Sequence, residues 1–181
     1  MRRMSNTTTS GPESFYEGWA TYQGLVLDAL RDLTPEQLGL RTAPHRWAVW
    51  QLAAHVAGSR AYWFHDVLGE GDPATRDLFR VNSTTVPDLP LEDAGWEDDE
   101  DHPRSAAEIV EAFGLTWDMI EDCLRRWTPD DLTAEFSRER RSSTETVTRQ
   151  LVIWHLVEHD LHHGGGISQI LGSHGVPAPN L

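Results

Sequence analysis

Residues 147–171 read VTRQLVIWHLVEHDLHHGGGISQIL, and within them His155, His159 and His163 recur every four residues. On an α-helix each step of four advances only about 40° around the axis, so the three imidazoles share one stripe. Leu151, Leu156, Ile167 and Ile170 fall on or beside that face, which predicts that the histidines point into a packed interior rather than into water. A buried imidazole has a donor and an acceptor to satisfy. For any single histidine the plainer answer is a backbone or carboxylate partner. A pair at i, i+4 sets two ring nitrogens one turn apart, as in helical zinc sites, and for that pair a metal is the better reading. Gly164, Gly165 and Gly166 follow directly. Each costs about 1 kcal/mol relative to alanine in a helix interior, so either the helix yields there or something packs against bare backbone.

Upstream, apolar positions at steps of three and four predict three more helices. The first runs from Gly11-Pro12-Glu13 to about Arg31, with Phe15, Trp19, Tyr22, Val26 and Leu30 on one side. Thr34-Pro35-Glu36 opens a short helical turn. The second long helix spans about Trp47 to Leu68 and buries Val49, Leu52, Val56, Trp63 and Val67. His55 shares a face with Leu52, Ser59, Tyr62 and Asp66, whereas His65 is turned away by about 80°. Residues 69–104 form a long connection, expected as a lid or binding loop with short helical turns, and its acidic run Glu97–Asp101 reads as a solvated face. Ser105 and Glu108 fit a capping box at the start of the third helix, which carries Ala106, Ile109, Phe113, Trp117, Ile120, Leu124 and Trp127. Thr128-Pro129-Asp130 repeats the earlier Thr-Pro opening, a weak hint of internal twofold similarity. Residues 133–143 read as a charged connector, with Thr144 as the cap of the fourth helix and Gly172 near its end. With no credible strand, the pattern predicts an all-α four-helix bundle with a long connection between helices two and three.

The length of 181 residues fits one domain, 11–181, behind a disordered polar tail at 1–10. Fifteen Lys plus Arg against twenty-nine Asp plus Glu give a net charge of -14, which disfavours nucleic acid and anionic membranes as partners. No apolar run is long enough to span a bilayer, and MRRMSNTTTS lacks the apolar stretch of a signal peptide. Cys123, the only cysteine, fits a reducing cytoplasm and reads as an inert buried thiol. A small-molecule substrate is expected, with a homodimer as the open question of assembly. Trp50, Tyr62 and Trp63 are candidate pocket walls, although ordinary core is the simpler role for them.

A metal held by His159 and His163 needs a third ligand, and His55, mid-helix on an inward stripe, is the best candidate. Three neutral imidazoles suit Zn first, with Ni or Fe as alternatives, and leave a coordination position open. His155 is a possible fourth ligand, read more readily as a neighbour of the site than as part of it. Asp160 and Glu158 flank the ligands but point about 100° away, which suits a supporting or surface role.

WAVWQLAAHVAGSRAYW around His55, together with WHLVEHDLHHGGGISQIL, resembles the DinB/YfiT-like family of four-helix bundles. That family carries one histidine on its second helix and an HxxxHxxHHRGQI-like string on its last. Here the string is met by His155, His159, His162, His163, Gly165 and Ile167, while Gly164 and Gly166 stand where many members have Arg and Gln. The resemblance implies metal ligation by His55, His159 and His163. It also implies a thiol-dependent transferase or isomerase that uses a divalent metal and a low-molecular-weight thiol such as mycothiol or bacillithiol. The alternative is a metal-binding or metal-sensing protein without turnover.

Overall fold

The computed structural model describes residues 12, 16–81, 94–140 and 143–179. The tail at 1–10 and Phe15 lie outside them. The chain is mostly helical, with one small two-stranded sheet among the described residues. Its long helices are α1 (Glu17–Leu30), α3 (Val49–Ala61), α5 (Ala106–Arg126) and α6 (Arg149–Ser173), with short helices α2 (Pro35–Leu38) and α4 (Pro73–Leu78) between them.

The ends of these helices follow from their capping residues. Thr34 accepts from the backbone N–H of Gln37, whose side chain returns the bond, so Pro35 begins α2. Ser105 and Glu108 form the expected capping box on α5. α3 passes into a π-helical turn, Tyr62–Val67, so the second long helix does reach the region of Leu68. α6 starts at Arg149, later than expected, because Thr148 rather than Thr144 supplies the capping oxygen, to the N–H of Leu151. It runs through all three glycines without breaking. Gly175, at φ +70°, takes the left-handed position just after the helix, where Gly172 had been expected to act.

The absence of strands is the clearest correction. Residues read as a charged connector form β1 (Glu135–Arg140), which pairs antiparallel with β2 (Ser143–Thr148). Phe136 faces Val147 and Arg138 faces Glu145 in the register. β2 is rich in threonine and valine, which suit a pleated, half-buried surface. The second Thr-Pro turn leads into this hairpin, not directly into a helix.

Two apolar clusters fill the interior. One gathers Val26, Leu30, Val49, Val56, Ile109, Phe113, Ile167 and Ile170 from all the long helices; the other gathers Trp19, Trp63, Ile120, Trp127, Val147, Ile153 and Leu156. Trp50 and Trp63 are buried, whereas Leu151, expected to face inward, is exposed. Cys123 is buried as read, and burial together with nearby Glu70 pushes its thiol up to about 12.

Gly164 shows why the glycine run is kept. A Cβ there would overlap the Tyr22 hydroxyl of α1, whereas a Cβ on Gly165 would meet nothing within 4 Å. Close helix approach, the second of the two alternatives, therefore explains Gly164 and not its neighbour.

Among the described residues no helix is long and apolar enough to cross a membrane.

Candidate metal centre

α3 and α6 pack face to face and bring His55 against the histidine stripe. The Nε2 atoms of His55 and His159 stand 3.0 Å apart. One candidate donor atom from each of His55, His159 and His163 lies within 4.8 Å of the others. Ligands bonded at about 2.0–2.1 Å in a tetrahedral array sit roughly 3.3 Å apart, so the His55–His159 separation is near that spacing and the whole set is looser. All three rings are half-buried.

The protonation pattern suits ligation. His55 donates from Nδ1 to Glu97 Oε1 at 2.6 Å, which leaves the Nε2 lone pair facing the cluster. Burial and the neighbouring His159 and His55 push His163 down to about 3, so its ring is neutral at ordinary pH. Metal ligation needs imidazoles in this neutral form. Among the described residues, the buried Nδ1 of His159 has no hydrogen-bond partner; Asp160 Oδ1, also unpartnered among them, is 4.0 Å away.

Glu97 was not anticipated. It belongs to the acidic run read as a solvated face, yet its side chain is only 13 % exposed and the short helical turn Trp96–Asp98 carries it onto His55. Gly95 and Asp98 hold that turn through a backbone N–H to carboxylate bond of 2.9 Å. Gln51 Nε2 adds a bond of 2.8 Å to the Glu97 carbonyl. Trp47 was also missed as a site residue: its ring is 4.8 Å from that of His55 and 6.4 Å from that of His163.

The other histidines separate as expected. His65 pairs with Asp66, outside the cluster. His155 lies with its ring 4.8 Å from Trp63 and 5.9 Å from His159. His162 is exposed. Asp160 turns away from the donors into the core, where it accepts from Arg60 and from Trp19 Nε1 at 2.6 Å. Glu158 is exposed.

A cavity of about 220 Å³ adjoins His55 and Glu97, and Ser59, Tyr62, Arg76 and Arg138 also line it. Of the aromatic walls suggested by the sequence, Tyr62 alone lines this space; Trp50 and Trp63 belong to the core clusters.

A sequence profile of the DinB superfamily matches residues 19–167. No protein of curated function matches the chain. Among solved structures, a DinB-like protein from Bacillus cereus is similar at a TM-score of 0.65 and 19% identity, over 96% of this chain and 99% of that one. A conserved protein from Enterococcus faecalis is similar at a TM-score of 0.63 and 16% identity, over 86% of this chain and 94% of that one. The profile match over most of the length, joined to a fold shared across nearly the whole of both chains, means that this chain belongs to the DinB superfamily.

Proposed function

We propose that the long helices act as a four-helix bundle in which His55, His159 and His163 hold a divalent ion, Zn in the first place and Ni or Fe otherwise. The activity is transfer of a small thiol, of the mycothiol or bacillithiol type, to a small electrophile, or isomerisation that uses such a thiol. The observation that carries this reading is the convergence of the three ring donors beside a cavity, with Glu97 bonded behind His55.

The ion, when bound, supplies Lewis acidity that lowers the pKa of a coordinating thiol toward neutrality. Glu97 fixes the His55 tautomer and ring angle. Trp47 covers His55 and His163 on one side and keeps water from that flank. In the transfer, the thiol proton goes to solvent, the sulfur lone pair forms the new bond to carbon, and the leaving group departs with the electrons of the bond it loses.

A non-catalytic binding or sensing site is the second reading, and it calls for a fourth protein ligand. His155 is the candidate, and its tilted packing against Trp63, 4.8 Å between ring centres, favours three ligands and an open position. The test is to load protein lacking a histidine tag with Zn, Ni or Fe, measure stoichiometry, and follow thiol conjugation to a generic electrophile beside a His55→Ala control. One equivalent of metal and turnover lost in the control are expected. Substoichiometric metal with thermal stability indifferent to chelator overturns both metal readings; full loading without turnover on any thiol leaves the sensing reading.

A further inference from the structure

The cavity beside the histidines carries charge of both signs, with Glu97 at the histidine end. Two arginines line it. Arg76, on α4, is only 6 % exposed, and among the described residues it donates from Nε alone, to Asp66 at 2.7 Å. Asp66 also contacts His65 at 2.8 Å and lies 4.0 Å from Arg80, whose closer partner is Asp77 at 3.0 Å, so Arg76 enters the cavity wall as one half of an ion pair. Arg138, on β1, donates from Nε to the Tyr62 hydroxyl at 3.2 Å and lies over the Trp63 ring at 4.1 Å. Among the described residues its nearest carboxylate, Glu145 at 3.8 Å, is 44 % exposed and therefore well screened by water.

These contacts hold the two guanidiniums at the cavity wall, Arg76 through Nε and Arg138 through Nε and its face over Trp63, while Arg138 Nη1 lies toward Glu145. A guanidinium fork is matched by a planar carboxylate. Because the Tyr62 oxygen accepts from Arg138, its own proton is available as a further donor. Tyr62 follows His55 by seven residues, two helical turns along the same face, which places the arginine end about 10 Å from the histidine end.

We infer that Arg76, Arg138 and Tyr62 form a carboxylate subsite, and that the guest of the histidine cluster is a small molecule bearing a carboxylate at the end remote from its reacting group. This rests on the thiol-binding role proposed above for the histidines. The carboxylate is the feature that selects among thiols or electrophiles of similar size.

The test uses cobalt(II)-loaded protein titrated with ω-mercaptocarboxylates of increasing chain length and with the neutral ω-mercaptoalcohols of the same lengths. Thiolate ligation is read from the sulfur-to-cobalt charge-transfer band. At the best length the acid is expected to bind about tenfold tighter than the alcohol, the value of one charge-assisted hydrogen bond. Arg138→Met and Arg76→Met bring the ratio near unity while alcohol affinity and metal content hold. Arg138→Lys, which keeps the stem over Trp63 but lacks the fork, retains part of the preference and serves if the methionine variant melts early.

Equal affinities for acid and alcohol at every length, with the band present, overturn the subsite and leave the thiol reading standing. If neither gives a band, the thiol reading fails, and calorimetric titration of glutarate decides the subsite separately. Saturable binding that is lost in Arg138→Met sustains it; no heat in the wild type overturns it.

Discussion

Glu97 Oε1 accepts a hydrogen bond from His55 Nδ1 at 2.6 Å across forty-two positions of sequence, joining the long connection to α3 at the histidine end of the cavity. Carboxylates placed behind ligating histidines set their tautomer and basicity, and losing one typically weakens metal binding about 10–100-fold. Glu97→Gln is expected to weaken metal affinity to that extent, measured by competition with a chromogenic chelator, without lowering the melting temperature of the metal-free protein. An affinity within twofold of wild type shows that the contact does not support ligation.

His159→Ala and His162→Ala separate the two faces of α6. His159 points at His55 Nε2, whereas His162 is exposed. The first variant is expected to lose metal and the stability that metal confers; the second keeps both. Elemental analysis beside melting curves, with and without chelator, reads the difference, and equal loss in both refutes the facing assignment.

Gly164→Ala and Gly165→Ala should move stability in opposite directions. At Gly164 the added methyl meets the Tyr22 hydroxyl, so overpacking of about 1–3 kcal/mol outweighs the gain in helix propensity. At Gly165 the methyl meets nothing and the gain of up to about 1 kcal/mol is kept. Tyr22→Phe added to Gly164→Ala is expected to restore part of the loss. Denaturant melts check all three, and a neutral Gly164→Ala removes close packing as the reason for that glycine.

Glu70 gives a pH signature remote from the histidines. Partial burial works against its charge, but hydrogen bonds from Arg126, Arg149 and Trp127 outweigh it and hold the carboxyl below the usual glutamate range. Its folded pKa is thus depressed. The stability it contributes is fully present above the unfolded value near 4.3 and is lost as pH falls through the lower folded value. Glu70→Gln is expected to cost about 1–3 kcal/mol at neutral pH and to flatten the acid side of the stability curve. A variant that loses stability in parallel with wild type at every pH contradicts this.

Much of the fold was legible because its signals are local. The capping pairs at Thr34 and Ser105, the steps of three and four through Ile109, Phe113 and Ile120, and the i, i+4 histidines each depend on neighbours in sequence. The hairpin was hidden for a physical reason. Its inward position Arg138 is an arginine, whose stem and guanidinium pack on Trp63 and Tyr62, so the apolar alternation that marks a strand is missing from EFSRER.

The histidine cluster was legible from helix periodicity, but its support was not. Glu97 sits in a run of acids that has no period, and only the turn Trp96–Asp98, held by Asp98 to the Gly95 N–H and by Gln51 to the Glu97 carbonyl, lifts it out of solvent. Asp160 was correctly turned from the donors by the 100° rule, yet nothing in the sequence announced that Arg60, a hundred residues earlier, would meet it in the core.

That pair of adjacent residues, His159 toward the cavity and Asp160 toward Arg60 and Trp19, fixes the angular setting of α6 about its own axis. Tyr22 lying over Gly164 blocks the same roll one turn further on. Rotating the helix to fit a larger or smaller ion breaks a buried ion pair, an expensive adjustment. Under the proposed ligation, accommodation to ionic radius therefore falls to the histidine rings themselves, since Trp96 in the turn behind His55 is also buried in the core.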